Sequence, residues 1–180
     1  WYLDGNNASV VSSDGNKTTV QMGSGYRGDL WLARSGKGKI VNVTPADYRY
    51  FAIKVGFKSQ LVPGKNKPNG CIKLEIFDDG IKKIGPEYFG TGGDANNRYE
   101  ILGASEISTT EPNVLYYDLQ SKYKTVTPTD WNQVFDLSQC KFVIADFPET
   151  AQTYDLYWIR SFKSIEELQA FVDSENNTNE

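Results

Sequence analysis

Tyr154-Asp-Leu-Tyr-Trp-Ile-Arg-Ser-Phe-Lys163 is the most strand-like run in the chain, rich in aromatic and β-branched residues with no Gly or Pro inside it. At a period of two, Tyr154, Leu156, Trp158, Arg160 and Phe162 fall on one face, and Asp155, Tyr157, Ile159 and Ser161 on the other. Aromatics on both faces predict a central strand covered on both sides. The period then changes. Ser164-Ile-Glu-Glu167 fits a helix capping box, with Ser164 as cap and Glu167 reaching back. Ile165, Leu168, Phe171 and Val172 recur at helical spacing. After Asp173 the chain is Ser-Glu-Asn-Asn-Thr-Asn-Glu, which offers nothing apolar to bury. The prediction is a single domain over residues 1–172 and a polar tail or linker over 173–180.

Working outward, Asp14-Gly-Asn16 between two short alternating runs, 8–13 and 17–22, is a hairpin signal. In the run 26–34, Arg27, Asp29, Trp31 and Ala33 oppose Tyr26, Gly28, Leu30 and Leu32. In Tyr50 to Phe57, Phe51, Ile53, Val55 and Phe57 point one way, against Tyr50, Ala52 and Lys54. Further strands are read at 40–43, 71–77, 98–102, 114–119 and 141–147. The turn-rich region 78–98 reads as a long irregular loop, and a helical turn is read near Trp131. Short strands without a strand–helix rhythm argue against a parallel α/β sheet. They predict an all-β fold, a two-layer antiparallel β-sandwich, jelly-roll-like, closed by a short C-terminal α-helix.

The bulk properties narrow the function. The 180 residues suffice for a real core. A net charge of −4 argues against nucleic acid, which needs a basic face. No apolar run reaches the roughly 20 residues of a bilayer span, so this domain is not expected to insert in a membrane. The chain contains no histidine, which removes the commonest general base, the commonest metal ligand and every Ser/His or Cys/His dyad. Cys71 and Cys140 fit either one disulfide or two buried thiols.

Three short motifs resemble a known family: Tyr26-Arg-Gly-Asp-Leu-Trp31, Tyr50-Phe-Ala-Ile-Lys54, and Tyr157-Trp-Ile-Arg-Ser-Phe-Lys163 followed by Ile165-Glu-Glu-Leu168. They resemble β-sandwich domains of Bacteroidetes surface lipoproteins, largely of unknown function and similar in style to the carbohydrate-binding modules of glycan-utilisation systems. The resemblance spans roughly residues 1–172. It implies a secreted or outer-membrane-surface location, with a signal segment outside this sequence, possible neighbouring domains in a larger lipoprotein, and a non-catalytic glycan-binding or structural role.

Sugar rings lay their C–H faces on aromatic side chains, while their hydroxyls take carboxylate, amide and guanidinium partners. The candidates for that chemistry are Trp31 with Arg27 and Asp29, Trp131 in a polar loop, Trp158 with Arg160, and Tyr88 in the long loop. On this reading Trp31→Ala or Trp131→Ala abolishes binding of a polysaccharide or oligosaccharide. The structural alternatives are core packing for Trp158, beside Ile159 and Phe162, and strand-edge ion pairs for Arg27 and Arg160. A structural calcium ion would suit Asp4, Asn6 and Asp155, although Asp and Asn beside Gly also simply make turns. An enzyme reading would need two carboxylates among Glu75, Asp118, Asp146 and Asp155 flanking a cleft. A scaffold or adhesion module meeting a protein partner is the alternative from another class.

Overall fold

The computed structural model describes residues 3–23, 27–33, 42–43, 47–58, 71–78, 82–84, 108–118, 135–136, 139–145 and 153–177. In chain order the elements are β1 (Asp4–Asn6), β2 (Ala8–Ser13), β3 (Thr18–Met22), β4 (Arg27–Ala33), β5 (Asn42–Val43), β6 (Tyr50–Phe57), β7 (Cys71–Asp78), β8 (Lys82–Ile84), β9 (Asn113–Asp118), β10 (Phe135–Asp136), β11 (Gln139–Ala145), β12 (Thr153–Phe162) and α1 (Ile165–Asn177). Sheet A has the order β1-β4-β11-β7-β8, and sheet B the order β2-β3-β12-β6-β9; β10 and β5 pair by themselves. Every pairing among the described residues is antiparallel. The molecule is therefore an all-β sandwich with one C-terminal helix.

The alternation in the sequence accounts for the core. Phe51, Ile53, Val55 and Phe57 of β6 are buried, as are Leu30 and Leu32 of β4 and Phe142 and Ile144 of β11. The two sheets meet where Phe142 of β11 packs edge-on against Tyr154 of β12, ring centroids 5.8 Å apart. Gly28 of sheet A and Met22 of sheet B approach closely here: a Cβ on Gly28 would stand 2.7 Å from Cε of Met22 and push the flexible end of that side chain aside. The first hairpin forms as its turn signal predicts. Gly15 takes the left-handed φ of 88°, and Asp14 Oδ1 accepts from the N–H groups of Asn16 and Lys17 at 2.9 and 3.0 Å.

The central strand departs from simple alternation. β12 lies between β3 and β6, but its register against β6 slips between Leu156 and Trp158. Tyr154 and Leu156 pair with the core residues Phe57 and Val55, whereas Trp158, Arg160 and Phe162 pair with Lys54, Ala52 and Tyr50 on the opposite face. A β-bulge at Tyr157 thus turns the second half of the strand over. The expectation that Tyr154 and Trp158 share a face is corrected by that one extra residue.

The helix starts on its capping box. Ser164 Oγ accepts from Glu167 N at 3.2 Å, and Glu167 Oε2 accepts from Lys163 N at 2.6 Å. It runs on to Asn177, so the polar tail expected from residue 173 is corrected to helix for most of its length. Leu168 packs with Ala52 and Phe162, and around them gather Tyr50, Val114, Tyr116, Trp158, Ile165, Phe171 and Val172. The register of β7 against β11 also bears on the cysteines. Cys140 pairs with Ile76, five positions along β7 from Cys71. At about 3.4 Å per residue their Cα atoms stand about 17 Å apart, beyond the roughly 7 Å a disulfide spans. The two cysteines are not bonded to each other.

Candidate functional site

The outer face of sheet B, away from sheet A, is divided in two. The helix covers the half that carries Tyr50, Ala52, Trp158 and Phe162. Among the described residues, the helix does not reach the other half, around Asp155, Tyr157 and Gly56. The bulge sets Tyr157 and Trp158 against the single partner Lys54. Lys54 Nζ stands 5.9 Å from the Tyr157 ring centroid and 3.0 Å from Glu175 Oε2 of the helix. Gly56 lies beside the tyrosine; a Cβ there would stand 3.4 Å from the ring, an ordinary van der Waals contact.

Asp155, opposite Thr19 and Gly56, is 1% exposed. Its Oδ2 accepts from Lys58 Nζ at 2.6 Å and from Lys17 Nζ at 2.8 Å. Its Oδ1 accepts from Thr19 Oγ1 at 2.7 Å. Burial pushes this carboxyl up, but the bonds from Lys17, Lys58 and Thr19 outweigh burial and hold it at about 2. The bond to Asp155 in turn raises Lys17 above its ordinary value. Both lysine side chains remain open to solvent, Lys17 at 36% and Lys58 at 53%.

The turn 108–112 makes the opposite wall. Ser108 Oγ accepts from the N–H groups of Thr110 and Glu111 at 3.2 and 3.0 Å. Asn113, buried at the start of β9, locks the turn by donating to Ser108 O at 2.8 Å and accepting from Ser108 N at 2.8 Å. Between turn and sheet lies a shallow depression of about 80 Å³, walled by Gly56, Lys58, Thr110, Glu111, Asp155 and Tyr157. That is well under the roughly 300–1,000 Å³ of pockets that enclose small molecules. It can seat one part of a larger ligand lying across the surface.

The residues predicted from sequence disperse. Trp31 is half-buried on the outer face of sheet A, with Lys141 Nζ 4.6 Å over its ring. Lys141 also pairs at 3.0 Å with Asp29, which is 3% exposed. Val143, on the same face, is fully buried, so the sheet is covered there. Arg27 belongs to β4, and its side chain lies outside the described residues, as do Trp131 and Tyr88. Trp158 is a helix contact: its Nε1 donates to Glu175 Oε2 at 3.0 Å, and its ring packs edge-on against Phe171 at 5.3 Å. Arg160 sets its guanidinium 4.5 Å over Phe171. Trp158 takes the packing alternative, and Arg160 stacks on an aromatic ring of the helix.

Asp4 and Asn6 pair with Trp31 and Asp29 in sheet A, whereas Asp155 belongs to sheet B with its oxygens engaged by two lysines and a threonine. The fold sets these three acidic and amide residues in different sheets. Asp118 forms a two-pronged pair with Arg49 at 2.8 and 2.7 Å. Asp118 pairs with Tyr50 and Asp155 with Gly56, six residues apart on β6. That is about 20 Å, more than twice the roughly 5–9.5 Å separating a glycosidase pair.

Sequence reading missed Tyr157, Lys17, Lys58 and Glu111 as a group. They come together through the register of four strands, β3, β12, β6 and β9, and the bulge. The one local signal was Asp155 within a strand opposite a lysine-bearing hairpin. No curated protein and no solved structure matches the chain. A family model matches residues 1–168, and the chain belongs to that family, described as Domain of unknown function (DUF4979).

Proposed function

We propose that this domain is a non-catalytic polysaccharide-binding module of the cell surface, and that the depression beside Tyr157 is where the glycan chain rests. The observation that carries the reading is a half-buried tyrosine on a bulge, beside an open depression rimmed by ammonium, hydroxyl and carboxylate groups. An aromatic ring for a C–H face, with hydrogen-bonding groups around it, is what a sugar needs. An open, shallow shape lets a polymer continue past on both sides. The motif resemblance to Bacteroidetes surface lipoproteins supports the location and the ligand class.

Affinity electrophoresis against plant and host polysaccharides, with and without calcium, tests this. The chain should be retarded by at least one polymer. Tyr157→Ala should weaken that retardation about tenfold or more, equivalent to about 1.4 kcal/mol, with little change in Tm. Retardation by no polymer would overturn the reading. A scaffold or adhesion role is favoured by one separate observation. Val10 and Val11, at a bulge on the edge strand β2, are 39% and 56% exposed, and such an edge can meet a protein partner.

A further inference from the structure

We propose that the glycan is anionic, with a carboxylate or sulfate ester of one sugar residue docking against Lys17 and Lys58 above Asp155. This rests on the polysaccharide reading. The two ammonium groups converge on one carboxylate oxygen, at 2.8 and 2.6 Å. Locally that is two positive charges to one negative, with the negative charge buried and the positive charges facing solvent. Each ammonium carries three donors, and the bond to Asp155 occupies one of them. The remaining donors of Lys58 lie in the wall of the depression, and Lys17 meets the same carboxylate oxygen from beside that wall. A sugar hydroxyl accepting from an ammonium already makes a charge-assisted hydrogen bond; an oxyanion adds the attraction between full opposite charges, so it gains more here than a hydroxyl does. It also relieves the repulsion between two like charges held side by side.

The surrounding charges are accounted for. Lys54 is paired with Glu175. Asp14, near Lys17, turns Oδ1 toward the N–H groups of its own hairpin. Glu111 stands exposed on the opposite wall and opposes an incoming anion. The overall charge of −4 is felt weakly, because interactions across more than about 8 Å are screened at physiological salt. A ligand reaching the two lysines therefore meets a cation pair directly, with the carboxylates of Asp14 beside Lys17 and of Glu111 on the facing wall as the nearby opposing charges.

The test uses the whole chain and four polymers: polygalacturonate, which carries carboxylates; carrageenan, which carries sulfates; and galactomannan and xyloglucan, which carry neither. One of the charged polymers should bind at least about tenfold more tightly than both neutral ones, the scale of one charged hydrogen bond, and the charged polymer that binds identifies the group. Lys58→Gln should remove that preference, Lys58→Arg should retain most of it, and Glu111→Gln should strengthen binding of the charged polymer. Lys163→Gln, at the far end of sheet B, should change nothing. Melting curves verify that each variant is folded, and Lys58→Gln keeps Lys17 to pair with Asp155. Equal or tighter binding of a neutral polymer would overturn the anion inference and leave the polysaccharide reading standing. Equal losses in Lys58→Gln and Lys163→Gln would overturn it as diffuse adsorption. Binding of none of the four, nor of any polymer in the wider panel, would overturn both.

Discussion

Residues 154–157 and residues 158–162 belong to one strand but live in different surroundings. The first half puts Tyr154 and Leu156 into the sandwich core and leaves Asp155 and Tyr157 at an open polar rim. The second half puts Trp158 and Phe162 under a helix. A single bulge residue separates the two, and with it the aromatic side chains divide into packing and candidate contact. Aromatic content alone says nothing of which role a residue takes. What lies against the ring separates the two: the helix over Trp158, the depression beside Tyr157.

The comparison predicts opposite outcomes for neighbouring residues. Trp158→Ala removes the ring contacts with Phe162 and Phe171 and leaves Glu175 without its indole donor. Substituting a packed Trp by Ala costs about 3–5 kcal/mol, and the half-buried position places this one near the lower end. Urea unfolding should show that loss, while folded protein keeps its polysaccharide retardation. Tyr157→Ala should behave the other way round. A Trp158→Ala protein of unchanged stability would remove the distinction between the two halves.

A smaller effect, of opposite location, belongs to Asp155. Its carboxyl titrates at about 2 in the folded chain against an ordinary 3.8. Because the folded value is the lower one, the ion cluster stabilises the fold fully above about pH 4, and the contribution fades as pH falls from about 4 toward 2. The difference corresponds to about 2 kcal/mol. Unfolding followed at pH 6, 4 and 2.5 should show the decline, and Asp155→Asn should flatten Asp155's share of it. A wild type and variant with parallel pH profiles would mean that the two lysines do not hold this carboxylate.

What could be read in advance follows from which interactions are local. The strand β6 was legible because no bulge interrupts Phe51, Ile53, Val55 and Phe57. The first hairpin was legible because Asp14-Gly15 is turn chemistry within three residues. The start of the helix was legible because Ser164 and Glu167 cap within one turn. The face of Trp158 was not, since nothing in Leu156-Tyr157-Trp158 announces an unpaired residue; the bulge is visible only against β6. Nor was the reach of the helix. Glu175 sits in a run of polar residues that composition reads as tail, yet it accepts from Trp158 at 3.0 Å and Lys54 at 3.0 Å. Trp31 looked like a platform because Arg27 and Asp29 flank it. The lysine that lies over its ring comes from β11, 110 positions later. The lysine cluster around Asp155 likewise joins residues 138 and 97 positions apart.

The mildest way to sharpen the comparison is to loosen the helix without touching a ring. Ser164→Ala removes the cap bond to Glu167 N and leaves that N–H to water. Caps of this kind are worth about 1 kcal/mol. Because α1 covers only the Trp158 half of the outer face, amide exchange should quicken in α1 and beneath it. The hairpin, Tyr157 and the 108–112 turn should exchange at the wild-type rate. Faster exchange spread evenly over sheet B would mean that the helix supports both halves. In that event the open rim would owe its shape to α1, and the Asp155 cluster would not be the independent anchor that its three short hydrogen bonds describe.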